Sequence, residues 1–275
     1  MKKHSVVELQ KIANQIRQDI ITMLAKAGSG HPGGALGMAD IFATLYFNIL
    51  NHTPNHPTNP IRDRLVLSNG HICPVLYSAL ARAGYFPLVK LKSLRKINSP
   101  LQGHPDVNTL PGVETSSGPL GQGISQAVGM ALAAKLDHKN HHVFCITSDG
   151  EHDEGQVWEA IMTANKYKLD NLINIVDLNG IQIDGYTKDI MPLESLEKKY
   201  LAFGWRVLKM DGHNLKQIIN TLNKAKNTKN KATVVLAKTT MGKGVKFMEN
   251  KYTWHGKAPK AKEAEQALNQ LKNAI

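Results

Sequence analysis

The spacing of apolar residues changes along the chain. Over residues 8–27, Ile12, Ile16, Ile20, Met23, Leu24 and Ala27 recur every three or four positions with charges between them. This predicts an amphipathic helix ended by the loop GSGHPGG, and MADIFATLYFNIL, residues 38–50, reads as a second helix. From RLVLSNGH (64–71) onward the apolar residues gather in short runs: HVFCITSDG, LINIVDLNG, WRVLKMDG and ATVVLAKT. None alternates strictly and each runs into a turn, as strands covered on both faces do. EGQVWEAIMTANKYKL and NLKQIINTLNKAK supply crossover helices, and the Pro- and Asn-rich stretch 51–60 reads as a surface loop. The pattern predicts one α/β domain over residues 1–275: a doubly wound, mostly parallel sheet with helices on both faces and no internal repeat.

This topology points to where chemistry belongs. Ligands of open α/β sheets sit beyond the carboxyl ends of the strands, and SDG, DLNG, MDGHN and KTTMGKG all fall at such ends.

Composition removes several classes of function. With 34 basic and 22 acidic residues the net charge is +12, and lysines crowd segments such as NKAKNTKNK (223–231). Clustered lysine is the footprint of phosphate-backbone binding. Here it alternates with asparagine, and aromatics make up only 6% of the chain, which argues against nucleic acid and for a solvated basic surface that favours small anionic ligands. No run approaches bilayer length and the N-terminus has no apolar leader segment, so no membrane role and a cytoplasmic location are expected. Cys73 and Cys145 show no paired spacing and read as small core residues of a reducing compartment.

One stretch runs against the basic balance: ITSDGEHDEGQVWEA, 146–160, gathers Asp149, Glu151, Asp153 and Glu154 in a turn after a strand. Such carboxylates repel unless a helix N-terminus, solvent or a cation takes up the charge. Asp149 ends one strand and Asn179 the next, so adjacent ends would bring a carboxylate and an amide oxygen to one hard cation. Mg²⁺ takes six oxygens and leaves several to phosphates and water. Asp149, Asn179 and a nearby backbone carbonyl would leave room for a diphosphate, and Gly150 would let the backbone approach it. Taken alone, Asp149-Gly150 is equally a simple turn and Glu154 a helix-start acid.

Taken together, SGHPGGALGMADI (29–41), DRLVLSNGH (63–71), QGHPD (102–106), ETSSGPLGQGISQAVGMALA (114–133), SDGEHDEGQVWEA (148–160), VDLNGIQIDG (176–185) and TWHGKAP (253–259) resemble, in order, the motifs of transketolase. The resemblance covers nearly the whole chain. It implies thiamine diphosphate anchored by Mg²⁺ (or Ca²⁺ or Mn²⁺) and transfer of a two-carbon glycolaldehyde unit from a ketose phosphate to an aldose phosphate. By the same resemblance the metal ligands are Asp149, Asn179 and the carbonyl of Ile181. His71, Gly150 and Asn179 contact the diphosphate end, and Gly118, Pro119 and Leu120 pack beside the cofactor rings. His31, His104 and His255 are the implied active-site histidines, His255 also touching cofactor. Glu154 matches the glutamate between the family's two active sites, and Lys257 matches a lysine of some members that could sense substrate anions.

The sequence departs from the family in two ways. Ser148 replaces the first glycine of glycine-aspartate-glycine. The pyrimidine-binding domain, with the glutamate that activates the cofactor and the arginines that grip the substrate phosphate, does not follow. The chain is therefore expected to be the N-terminal subunit of a split transketolase that works, two copies with two, beside a separately encoded C-terminal subunit. The ending KEAEQALNQLKNAI reads as a closing helix, in keeping with a natural subunit. The rival readings are half of another split thiamine diphosphate enzyme, such as a deoxyxylulose-phosphate synthase-like one, and a noncatalytic binding module.

Overall fold

The computed structural model describes residues 3–193 and 195–274. The chain forms strands β1 (Arg64–Leu67), β2 (Val143–Ser148), β3 (Leu172–Leu178), β4 (Ile181–Gln182), β5 (Gly185–Tyr186), β6 (Arg206–Asp211) and β7 (Thr233–Lys238). Five build one sheet, ordered β1-β2-β3-β7-β6 and parallel throughout, while β4 and β5 pair as a small antiparallel hairpin. Helices α1 (Val6–Ala27), α2 (Pro32–Gly37), α3 (Ala39–Thr44) and α4 (Cys73–Ala83) precede α5 (Gln122–Leu136) and α6 (Gly155–Lys166). Then come α7 (Thr187–Ile190), α8 (Leu196–Ala202), α9 (Leu215–Lys226) and α10 (Ala261–Lys272).

Each strand expected from the sequence is present, but the both-face burial is not uniform. β2 is buried from Val143 to Thr147 and β7 from Thr233 to Ala237, whereas in β6 only Met210 is buried. β6 is one of the two edge strands, with β7 its one neighbour, and its outer positions meet solvent, whereas β1 at the other edge is mostly buried. The helix expected over 38–50 is also interrupted. Pro32 starts α2 one segment earlier, Met38 separates α2 from α3, and residues 45–49 widen into a π-turn closed by Leu50 N–H on the Leu45 carbonyl at 2.9 Å.

The core lies on the two faces of the sheet. Buried residues of α1, α3, α4, α9 and α10 form one cluster, and those of α5, α6 and α8 the other. The chain thus leaves β1 and β7 toward the first face, and β2 and β3 toward the second. Connections diverge between β1 and β2 and again between β3 and β7, which opens a crevice at the carboxyl ends of both pairs. Both cysteines are buried in this core, as their lack of pairing predicted, and burial pushes the Cys73 thiol up to about 12 and that of Cys145 well above its ordinary value.

α1 anchors the first face. Ser5 and Glu8 cap it reciprocally and Gly28, at φ 70°, ends it in the left-handed conformation that favours glycine. Its buried Ile16, Ile20 and Leu24 each contribute about 1.5–3 kcal/mol. The same face carries Arg17, whose guanidinium grips Asp40 of α3 bidentately at 3.2 and 2.5 Å and reaches the Leu36 carbonyl at 3.2 Å. Asp40 also accepts from His213 Nδ1 at 2.8 Å, and His213 Nε2 accepts the Thr240 N–H at 2.8 Å. Helix α1 is thereby wired to the loop after β7.

Burial alone would raise the Asp40 carboxyl, but Arg17 and His213 overcome it and hold it below the ordinary carboxylate range. Its stabilisation is then present above the unfolded-state pKa and lost as pH falls through the folded one. Arg17→Met strands the buried carboxylate and is expected to cost about 3–5 kcal/mol in urea unfolding at pH 7. The gap from the wild type should narrow as pH falls through the folded-state pKa, which lies below the ordinary carboxylate value.

Candidate active site

At the carboxyl ends of β2 and β3 two carboxylates lie side by side. Asp149 is 2% exposed and Asp177 is 1% exposed. Asp149 accepts the Gly150 N–H at 2.9 Å and the Gly180 N–H at 2.6 Å. Asp177 accepts from the Thr239 hydroxyl and from Asn179 Nδ2 at 3.0 Å. Among the described residues neither has a lysine, arginine or histidine within ion-pair distance. Burial, and then Asp177, push the Asp149 carboxyl up to about 7, and burial pushes Asp177 up to about 6. A cleft of about 600 Å³ lined in part by Asn179, Gly180, Thr239 and Thr240 opens onto Asp149.

The acidic loop divides its charges between interior and solvent. Glu151 is fully buried and its carboxylate takes the Ser68 hydroxyl, the Gly121 N–H at 2.7 Å and the Ser148 N–H at 3.2 Å. His152, also buried, donates from Nδ1 to the Ser148 carbonyl at 2.7 Å and accepts at Nε2 from the Tyr200 hydroxyl at 2.9 Å. Tyr200 in turn accepts from Asn174 at 2.9 Å. Burial holds the His152 ring neutral, its pKa lowered to about 4. Asp153 and Glu154 are exposed, and Glu154 sits at the start of α6 with no side-chain capping bond.

Three imidazoles from distant segments meet nearby. Ring centroids lie 5.1 Å apart for His31 and His71, 5.1 Å for His71 and His255, and 5.6 Å for His31 and His255. His104 is close enough to act electrostatically on His31 and His71. Burial first, then the neighbouring rings, lower His31 to about 4 and His71 well below its ordinary value. His104 and His255 are lowered chiefly by burial as well. All four rings are therefore mainly neutral at pH 7, each offering a donor and an acceptor.

Glycines bring the segments together. A Cβ on Gly34 would stand 3.7 Å from an Asp177 carboxylate oxygen and 2.8 Å from Ile72, and one on Gly256 would stand 3.3 Å from the His31 ring. Gly118 lies beside His104, where a Cβ would be 3.9 Å from the ring. Pro119 is exposed and Leu120 half-buried, with its carbonyl accepting from Gln156 at 3.0 Å. Asn179 turns its amide oxygen to the Ile181 N–H at 2.9 Å, which fixes the corner that leads into β4.

The structure thus brings Asp149, Gly150, Asn179 and Ile181 to one corner and His31, His71, His104 and His255 to another, with Gly118 near the second. Lys257 does not face the rings: its ammonium lies 3.2 Å from Glu263 and 4.3 Å from the centre of Trp254. Three histidines outside this cluster pack into the fold. His52 is buried between the Tyr46 carbonyl and the Tyr85 hydroxyl, His141 is buried, and His142 is half-buried and bonded to the Lys226 carbonyl. His56 and His138 are exposed. Sequence reasoning assigns no role to Asp177, Glu151 or Arg95. Asp177 and Glu151 stand inside the family-like motifs; Arg95 stands in KSLRKINSP, which has no motif of its own.

These residues fit a metal-anchored anionic cofactor. An uncompensated buried carboxylate pair calls for a cation. Among the described residues, His31 Nδ1, both amide atoms of Asn69 and Gln182 Nε2 are buried with no hydrogen-bond partner, and the glycines leave a cradle that side chains would fill.

A family model described as the transketolase, thiamine diphosphate binding domain matches residues 8–273. The chain is 46% identical over 249 residues to the 6-deoxy-6-sulfo-D-fructose transketolase subunit of a Clostridium species, covering 90% of each. It is 42% identical to one of the apulose-4-phosphate transketolase subunits of Actinobacillus succinogenes, covering 97% of this chain and 96% of that one. Among solved structures, a transketolase from Campylobacter jejuni superposes with a TM-score of 0.92 at 37% identity. The match covers 98% of this chain and 43% of that one, so the chain spans about two fifths of that relative's length.

Glu151 ties the turn after β2 to the glycine-rich segment before α5. Glu151→Ala leaves three donors without their acceptor and is expected to destabilise the fold by about 3 kcal/mol in chemical denaturation. Amide exchange at Gly121 and Ser148 should rise with it.

Proposed function

Because this chain belongs to the transketolase family, matching its thiamine diphosphate-binding domain, we propose that it is the diphosphate-holding subunit of a two-chain transketolase. The observation that carries this reading is the buried Asp149–Asp177 pair, placed at a strand-end crevice with three neutral imidazoles beside it. Thiamine diphosphate, when bound, supplies the thiazolium carbon that takes up and releases the two-carbon unit.

Asp149, Asn179 and the Ile181 carbonyl would hold Mg²⁺, with Ca²⁺ or Mn²⁺ as hard-ion substitutes. His71 and the backbone at Gly150 would meet the diphosphate, and Gly118 to Leu120 would lie along the cofactor rings. His31, His104 and His255 would bind sugar hydroxyls and move a proton at the oxygen that alternates between carbonyl and alcohol, work that suits rings kept neutral by burial. Glu154, exposed at the start of α6, is free to face another subunit.

A separately encoded partner carrying the pyrimidine-binding domain completes the enzyme, with two copies of each chain. Two observations support it. The chain matches relatives named as transketolase subunits over nearly their full length, and the solved Campylobacter jejuni transketolase chain over only 43%. Beside the Asn179 corner, Ile183, Tyr186, Ile190, Met191 and Tyr252 are exposed, an apolar rim that another surface would cover. The substrates are ketoses and aldoses with an anionic tail. Residues 1–275 act as one domain, and the unpaired buried cysteines suit the cytoplasm; among the described residues no helix is long and apolar enough to cross a membrane.

Glycolaldehyde transfer from D-xylulose 5-phosphate to D-ribose 5-phosphate, with Mg²⁺ and thiamine diphosphate, is expected only when this chain is mixed with its partner. Activity of the chain alone would refute the divided site, and silence in the mixture would favour another split thiamine diphosphate enzyme or a noncatalytic module. Asp149→Ala should abolish Mg²⁺-dependent cofactor binding by the assembled complex, measured by calorimetry.

Since the Asp149 carboxyl is raised to about 7, its proton must leave before a cation binds. The affinity for Mg²⁺ should therefore climb by up to about tenfold per pH unit from pH 5 to 7 and level off above. A pH-independent affinity would remove Asp149 from the ligand set.

A further inference from the structure

Arg95 is an exposed arginine at the edge of the histidine cluster, in a turn that no motif accounts for. Its backbone is left-handed, at φ 59°, held by its N–H on the Leu101 carbonyl at 2.9 Å. Non-glycine residues seldom adopt this conformation, and here it sends the side chain across two glycines. A Cβ on Gly103 would stand 2.8 Å from the guanidinium carbon, and one on Gly30 would stand 3.5 Å from Nε. Gly30 immediately precedes His31 and Gly103 immediately precedes His104. The absence of both side chains lets one planar cation lie over the backbone that delivers both histidines.

The guanidinium is nearly uncommitted. Of the five donors such a group carries, one forms a bond among the described residues, from Nη2 to the Gly103 carbonyl at 3.3 Å. Among the described residues no carboxylate lies within ion-pair distance of it, whereas Arg17, Arg62 and Arg82 are all paired. Its field reaches the site, contributing to the lowered basicity of His31 and His104. Lys257, the cation that the sequence offered for this task, is tied to Glu263 instead.

We propose that Arg95 binds the tetrahedral oxyanion, phosphate or sulfonate, at the far end of the sugar substrate, so that this chain makes a substrate-anion contact of its own. A guanidinium presents paired N–H donors at the spacing of such oxygens, and its charge is permanent. With His31 and His104 beneath it to engage hydroxyls, the three side chains would grade the substrate from polar chain to charged tail. The substrate assignment rests on the ketol-transfer reading above; the anion contact itself does not.

The test uses the assembled two-chain enzyme with Mg²⁺ and thiamine diphosphate, comparing the wild type with Arg95→Gln and Arg95→Lys. The ratio of kcat/KM for D-ribose 5-phosphate over D-ribose as acceptor is expected to fall roughly 10- to 100-fold in Arg95→Gln, with partial recovery in Arg95→Lys. D-xylulose 5-phosphate and a 6-sulfonated ketose, each set against uncharged L-erythrulose as donor, show whether phosphate, sulfonate or both depend on Arg95. Calorimetric binding of inorganic phosphate and of sulfate to the same complexes should weaken at least tenfold in Arg95→Gln. An equal loss on charged and neutral substrates, or no loss of anion binding, would overturn the proposal. Arg95-dependent binding of phosphate or sulfate by a complex that transfers from no ketose would instead sink the ketol-transfer reading and leave the anion site standing.

Discussion

Two carboxylates at neighbouring strand ends, Asp149 and Asp177, are almost fully buried. An isolated ionised carboxylate in such a place is too costly to persist, so it takes up a proton, donors or a cation. Every nearby device supplies donors: the Gly150 and Gly180 N–H groups to one, the Thr239 hydroxyl and the Asn179 amide to the other. Gly180 can turn its N–H inward because it holds φ 74°. These donors are neutral, so both carboxyls remain easier to protonate than in water, and the pair is left poised for a hard divalent ion.

That poise depends on loops that would otherwise drift, and the fold holds them from behind. Arg17 on α1 fixes Asp40, Asp40 fixes His213, and His213 receives the N–H of Thr240, next in sequence to the residue that bonds Asp177. A helix that contributes no group to the site thus sets the position of its deepest acid. On the opposite face Glu151 joins the end of β2 to the start of α5, and the bonded chain of His152, Tyr200 and Asn174 links the same turn to α8 and β3. Buried networks of this kind are costly when incomplete and rigid when satisfied.

The legible part of the site was the part written as strand ends. Asp149 and Asn179 could be placed together because apolar runs mark parallel strands and ligands gather at their carboxyl ends. Gly150, Gly118 and the histidines were legible through motif order. Partners set by tertiary packing were not. Glu151 reads as one more acid of a charged loop until the fold buries it against Ser68, and Asp177 reads as the interior of a strand end until Thr239 arrives from β7. The burial of His52 and His141 escaped for the same reason, since a histidine in a polar stretch carries no sign of the wall that closes over it. The exposed outer face of β6 followed from strand order, which local apolar pattern does not encode.

The distribution of charge also bears on why such a chain would need a second one. Around the crevice, the carboxylates that lie deepest are already engaged: Asp149 and Asp177 with the donors that line the cation corner, Glu151 with three donors of the scaffold. The imidazoles are held neutral by burial, so they suit hydroxyls and modest proton movement but offer no permanent charge. Asp153 and Glu154 are exposed, at the entry to α6 and pointing their segment toward solvent and any neighbouring chain. Under the proposed reading, a chain built this way would grip the anionic end of a cofactor and present neutral rings to a sugar. Under the ketol-transfer reading, the acid that activates the cofactor's other end has to come from across an interface, and the apolar rim from Ile183 to Met191 lies beside the cation corner where that interface would close.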